Sequence, residues 1–86
     1  MFSGTEQRVR LRFTNHLVGA VLDRLGQDVS IIPDGAEHFT VSADVVVSPQ
    51  FFAWLCGFGA DAQLIAPAGA VEQMKAYIEE IAALYR

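Results

Sequence analysis

Apolar and polar residues alternate along two stretches of the chain. From Arg8 to Phe13 each arginine is followed by an apolar residue, and between residues 37 and 47 an apolar residue again occupies every second position. A period of two is the spacing of a β-strand with one buried and one open face. We therefore predict strands over residues 6–13 and 37–47, with their polar side chains on the open face of a sheet.

Two shorter strands complete the predicted sheet. Residues 28–32 precede Pro33, Asp34 and Gly35, which favour a turn because proline presets φ and glycine tolerates positive φ. This turn would join the second and third strands as a hairpin. Residues 62–66 form a short, mostly apolar stretch and are predicted as the fourth strand.

Apolar residues at steps of three and four predict three helices. The first covers residues 17–25 and ends at Gly26. The second begins at Ser48 and Pro49, which favour the cap and the first helical position, and it ends at a pair of glycines. The third covers residues 67–85.

The resulting order of elements is β-α-β-β-α-β-α. The first six follow the ferredoxin-like arrangement, in which two helices cover one face of a four-stranded antiparallel sheet. In that topology the first and third strands are central. The predicted fold class is therefore α+β, a ferredoxin-like βαββαβ sandwich with an extra C-terminal helix.

The second helix carries more apolar surface than one sheet face needs, which indicates a second contact with a neighbouring domain or a homodimer partner. The apolar seam of the third helix must pack against the edge of the sheet, another domain or a second copy of the chain. The seam of the third helix consists of Val71, Met74, Ile78, Ile81 and Tyr85. The predicted interface residues are Phe51, Phe52, Trp54, Phe58 and Tyr85.

Composition limits the classes of protein that this chain can represent. It has 86 residues, 52% of them hydrophobic, which is enough for one small domain. Its formal net charge of −4 argues against general binding to polyanions. No apolar run approaches the ~20 residues that span a bilayer, so we expect no membrane contact, and the use of a single cysteine fits a cytoplasmic protein. The single cysteine, Cys56, lies on an apolar helix and is predicted to be buried and inert.

Three of the six basic residues lie on one side of the first strand. Alternate residues of a strand are ~6.8 Å apart, which is comparable to the spacing of phosphates on an extended nucleic acid. The arginines could follow such a ligand, contact a protein, or only keep the face soluble by pairing with Asp44, Glu37 or Glu6. The predicted ligand- or nucleic-acid-facing surface consists of Arg8, Arg10, Arg12, His38, Thr40 and Ser42.

No motif in the sequence indicates catalysis. His16 and His38 are not spaced as metal ligands, and neither the serines nor Cys56 belongs to a recognisable nucleophile motif. The pair Gly57 and Gly59 follows a helix instead of opening one, so it is not a phosphate-binding loop. We therefore expect no enzyme activity, no metal and no cofactor.

With its elements placed, the chain resembles the WCX domain, the C-terminal extension of WYL-domain transcriptional regulators. The resemblance covers residues 8–85. It is carried by VRLRF at the start, IIPDG and FTVSADV around the hairpin, QFFAWLCGFG on the second helix, and AQLIAP before a last helix that ends in Tyr85. The most specific part is the pattern W-L-x-x-F-G followed by A-x-L-I-x-P.

The resemblance implies a regulatory role. Such regulators run from a helix-turn-helix DNA-binding domain through a WYL domain to this extension, which helps to dimerise and position the sensor. Residues 8–86 would then be an excised C-terminal domain, with residues 1–7 as a disordered lead-in or an introduced start. DNA would be contacted through the missing domains, and the arginine-bearing strand would face the WYL domain or its ligand.

Two other domain classes share the βαββαβ order. A small-molecule-binding ACT-like domain is the alternative function, although the connection after the first strand, residues 13–16, lacks the glycines typical of that class. A single-stranded nucleic-acid binder of the RRM type would present aromatic residues on its central strands. Here those positions are Arg, His, Thr and Ser.

Overall fold

Two long central strands bury their apolar side and expose their polar side, as the alternation predicts. The computed structural model describes residues 6–86. In chain order its elements are β1 (Glu6–Thr14), a 3-10 turn (Asn15–Leu17), α1 (Val18–Leu25), β2 (Ser30–Asp34), β3 (His38–Val46), α2 (Pro49–Cys56), a second 3-10 turn (Gly59–Asp61), β4 (Ala62–Ala66) and α3 (Ala68–Ala83).

The four strands form one sheet in the order β2-β3-β1-β4, and each hydrogen-bonded pair is antiparallel. The first and third strands are therefore central, and the predicted α+β class with an added C-terminal helix is confirmed. This strand order is that of the ferredoxin-like βαββαβ arrangement. Because Glu6 and Gln7 pair with β3, they belong to the sheet and not to the lead-in predicted for residues 1–7. Residues 1–5 of that predicted lead-in lie outside the described residues.

The core lies between one face of the sheet and the helices. Its centre is Phe13, which is fully buried and stacks on Phe39 with 5.5 Å between ring centroids. From the helical side, Trp54 and Phe58 contact the same ring edge-on at 6.1 and 6.0 Å. Edge-to-face and offset pairs at these distances are favourable aromatic arrangements. A single ring thus joins the two central strands to α2 and to the residues just after it.

The second strand lies two residues later than predicted. It covers Ser30–Asp34, so Pro33 and Asp34 pair with β3 instead of forming the turn. Proline is tolerated there because β2 is an edge strand. The turn follows at Gly35, whose φ of 77° lies in the left-handed region that glycine enters without strain.

Cys56 is exposed, and the prediction of a buried thiol is wrong. Helix α2 buries Phe51, Phe52 and Leu55. Its outward side carries Pro49, Ala53 and Cys56, at steps of four and three residues, which is the helical repeat of a second face. The sequence predicts a buried cysteine because the helix as a whole is apolar, although this stripe of smaller residues faces solvent.

The start of α2 is held by the predicted cap. The Phe51 backbone N–H donates to the buried Ser48 Oγ at 3.3 Å, and Pro49 occupies the first turn. Replacing Ser48 with alanine should lower the free energy of unfolding by ~1 kcal/mol, because this N–H then loses its acceptor. Urea denaturation would measure the change. The same substitution at the exposed Ser30 on β2 is the control, and an equal effect at both serines would contradict the assigned cap.

Candidate functional site on the open face of the sheet

The structure brings the six residues of the predicted ligand-facing surface together on the sheet face opposite the core. Arg8, Arg10 and Arg12 follow one another along β1. The pairing register places Ser42 opposite Arg10 and Thr40 opposite Arg12. His38, the first residue of β3, lies opposite Thr14. The predicted proximity of the six is thereby confirmed, whereas their binding role stays a prediction.

Two of the three arginines form ion pairs with carboxylates on the same face of the sheet. Arg8 Nε lies 3.3 Å from Oδ1 of Asp44, the residue directly opposite on β3. Arg12 Nε lies 2.8 Å from Oδ2 of Asp34, so its side chain reaches past β3 to the edge strand. The sequence named Asp44 as a partner but missed Asp34, because that residue was assigned to a turn.

The middle arginine is different. Among residues 6–86, Arg10 has neither a salt bridge nor a side-chain hydrogen bond. Its row across the sheet contains Ser42 on β3 and Ser30 on β2, and on the other side Ala66 of β4. Arg12 reaches Asp34, which lies on β2 two residues beyond the β2 residue in its own row. The equivalent β2 residue for Arg10 is Ile32, which carries no charge. Arg10 is therefore an exposed residue directly opposite Ser42, with Ser30 one strand further along the same row.

The remaining basic residues all have partners within the described chain. The Arg24 guanidinium lies over the Trp54 ring, 5.7 Å from its centroid. Lys75 Nζ lies 3.6 Å from a Glu72 oxygen, and Arg86 forms an ion pair with Glu79. Of the six basic residues, Arg10 alone lacks both a carboxylate and an aromatic partner among residues 6–86. The Arg10 guanidinium, at the centre of the sheet face, is therefore the positive charge most available to bind an anion.

The predicted interface residues separate into two groups. Phe51 and Phe52 are only 6% and 5% exposed, and Trp54 and Phe58 pack against the same core. Phe51 and Phe52 therefore add almost no exposed apolar surface within one domain, and the interface role of the four aromatic residues stays a prediction. The reason for this burial is that β4 and α3 pack against the helix, while Arg24 of α1 lies over the Trp54 ring. Tyr85, in contrast, is 85% exposed.

Helix α3 is packed along its first half and open at its end. Ala70 is buried, and Val71, Met74 and Tyr77 pack against the core, where the Tyr77 ring lies 5.4 Å from the ring of Phe52. Beyond them lies a group that we call the C-terminal apolar surface, and its members are 43% to 85% exposed. It consists of Ile78, Ile81, Leu84 and Tyr85.

Two clefts flank the sheet. One, of about 350 Å³, lies beside the connection from β1 to α1 and is mostly apolar, with Val18, Ile31 and Phe39 in its walls. The other, of about 300 Å³, lies between Arg24 and Trp54 and the start of α2. No three His, Cys, Asp or Glu side chains of residues 6–86 are grouped to hold a metal ion. No helix in the same part of the chain is long and apolar enough to cross a bilayer.

Comparison with known families covers most of the chain. The family model of the WCX domain matches residues 5–82, which is most of the 86 residues. The chain belongs to the WCX domain family. No curated protein and no solved structure matches this WCX domain significantly.

The residues that carry the WCX resemblance are structural ones. Trp54, Leu55 and Phe58 pack in or against the core around Phe13. Gly59 adopts a φ of 63°, which side-chain-bearing residues rarely adopt. Leu64 of β4 is buried opposite Leu11. The most specific pattern of this WCX domain therefore describes how α2 joins β4 and not how a ligand is bound.

Proposed function

We propose that this WCX domain is the C-terminal regulatory and oligomerisation module of a bacterial WYL-family transcriptional regulator. It assists ligand or nucleic-acid sensing by a WYL domain, while a helix-turn-helix domain elsewhere in the same cytoplasmic protein contacts DNA. The observation that carries this proposal is the family match over residues 5–82.

Two separate surfaces of the domain support the two parts of the proposal. The open sheet face combines paired and unpaired charges with hydroxyl groups, which suits contact with a polar sensor domain or its ligand. The C-terminal apolar surface leaves Ile81 43% and Leu84 79% exposed at the end of α3. Exposed apolar side chains in one cluster are typical of a protein interface, and a second copy of the domain is the proposed partner.

The reading frame upstream of this segment is the direct test of the regulatory role. Helix-turn-helix and WYL domains encoded in that frame would support the proposal. An enzyme domain in their place would overturn it, since the WCX domain would then serve a different kind of protein.

The oligomerisation part predicts the effect of a charge in the C-terminal apolar surface. Replacing Ile81 with glutamate should weaken self-association about tenfold or more, because an apolar contact is lost and a carboxylate must be desolvated. Sedimentation equilibrium over a range of concentrations would measure the dissociation constant.

The matched control is the same substitution at Ile32, which is 52% exposed on the open sheet face. It should leave self-association unchanged. A wild-type domain that stays monomeric at the highest concentration, or equal dissociation by both variants, would remove the C-terminal apolar surface from the proposal.

A further inference from the structure

We propose that Arg10, Ser42 and Ser30 form a binding site for a single phosphate group at the centre of the open sheet face. The inference deepens the proposed regulatory function by giving the sensed ligand a chemical class, and it rests on that function only for its biological consequence. Binding itself depends on this chain alone.

The three side chains lie side by side on three neighbouring strands. The register pairs Arg10 with Ser42 and Ser42 with Ser30, so all three occupy one row on one face. Neighbouring strands are ~4.8 Å apart, and a guanidinium on its flexible stem reaches about that far. A ligand above Ser42 is therefore within reach of Arg10 from one side and of Ser30 from the other.

The donors of this row match a phosphate better than a carboxylate. A guanidinium presents a planar fork of N–H donors that binds two oxygens at once, and each serine adds a hydroxyl. The two oxygens of a carboxylate would already be engaged by the fork. A terminal phosphate keeps a third oxygen for the serine hydroxyls.

The flanking residues restrict the site to one phosphate. Arg8 and Arg12 are ~6.8 Å away along β1, but each is paired, with Asp44 and Asp34 respectively. A phosphate at either position would meet a carboxylate as well as an arginine. The three arginines of β1, which by sequence could follow several phosphates, thus offer one unpaired charge within residues 6–86.

The test is a titration of the isotope-labelled domain with inorganic phosphate, at constant ionic strength, followed by amide chemical shifts in NMR spectra. We expect saturable shifts centred on Arg10, Ser42 and Ser30. Replacing Arg10 with glutamine should weaken binding about tenfold or more, as for the loss of a charge-assisted hydrogen bond. Arg86→Gln changes the net charge equally at a distant position and should leave binding unchanged.

A second variant tests the site without removing its arginine. Ser42→Asp would place a carboxylate directly opposite Arg10, as Asp44 lies opposite Arg8. The new ion pair should abolish phosphate binding. Removing the flanking pair together, Arg8→Gln with Asp44→Asn, should leave binding within about twofold, since the pair contributes no net charge. Equal binding by the wild type and Arg10→Gln, or equal shifts along all of β1, would overturn the proposal.

Two further probes distinguish the sources of the phosphate. Adenosine monophosphate should bind and adenosine should not, which indicates a small-molecule monoester. An eight-nucleotide oligothymidylate that binds more tightly than the monophosphate, with a salt dependence equal to several phosphates, would overturn the single-phosphate site in favour of a nucleic-acid surface. All of these measurements use the isolated domain, so they can fail while the upstream reading frame still supports the regulatory role, and the reverse.

Discussion

Replacing Phe13 with alanine should lower the free energy of unfolding by ~4 kcal/mol. The ring is fully buried and contacts Phe39, Trp54 and Phe58, which come from β3, from α2 and from the segment after it. Its removal leaves a cavity between the sheet and the helices that the surrounding strands cannot close. A domain of this size is typically stable by roughly 4–13 kcal/mol, so much of the native population would be lost.

Thermal and urea denaturation followed by circular dichroism would measure this loss. Tyr85→Ala is the matched control, because it also removes an aromatic ring but from a side chain that is 85% exposed. The control should change the stability by less than ~0.5 kcal/mol. Similar stabilities of the two variants would show that Phe13 is not the centre of the core.

Replacing Phe52 with alanine should cost ~3 kcal/mol and should release α3 more than it affects the sheet. The ring of Phe52 is 5% exposed and connects α2 to α3 through Tyr77, at 5.4 Å between centroids. Without it, α3 loses its aromatic link to α2 and keeps its packing against β4 and the core contacts of residues 70–74. Hydrogen exchange should therefore become faster in α3 than in β1 and β3.

The exchange experiment also separates a core role of Phe52 from the interface role expected from the sequence. An interface residue would alter the dissociation constant of an oligomer and leave exchange within the monomer unchanged. Ile78→Ala serves as the control, because this side chain of α3 is 43% exposed and should cost at most ~1 kcal/mol. Uniformly faster exchange in all elements after Phe52→Ala would contradict a local link between α2 and α3.

Most elements were predictable because their sequence signals agree with one another. In β1 and β3 the alternation of apolar and polar residues predicts which side is buried. The structure confirms this for the apolar residues of both strands, Val9, Leu11, Phe13, Phe39, Val41 and Ala43. The fourth strand, Ala62–Ala66, has the predicted bounds. Its apolar run lies between a glycine-bounded turn and Pro67, so both ends are marked by local chemistry.

The second strand lies later in the chain than predicted because its turn signal is ambiguous. Pro33, Asp34 and Gly35 favour a turn by composition, yet proline is also tolerated in an edge strand, where the backbone lacks one neighbour. The pairing of Pro33 with Phe39 is a tertiary choice that local propensity does not contain. The error affected the candidate site, because it removed Asp34 from the sheet and hid the partner of Arg12.

Which individual side chains of α2 are buried could not be predicted from the sequence either. An apolar helix read alone does not say how many neighbours cover it, and here α3 adds one that a two-layer domain would lack. Phe52 is therefore buried, while Cys56 is exposed on the side that no element of the described residues 6–86 covers. The availability of Arg10 likewise follows only from the paired rows of the sheet, since its sequence neighbours resemble those of Arg8 and Arg12.

The position of Trp54 gives the domain a built-in optical probe. It is the only tryptophan in the chain, and its ring lies against Phe13, Phe51 and Phe58 under the guanidinium of Arg24. Its fluorescence therefore reports one known location, where α1, α2 and the central strand meet. Emission recorded during partner or ligand addition would reveal a displacement of α1 without any dye, label or engineered residue.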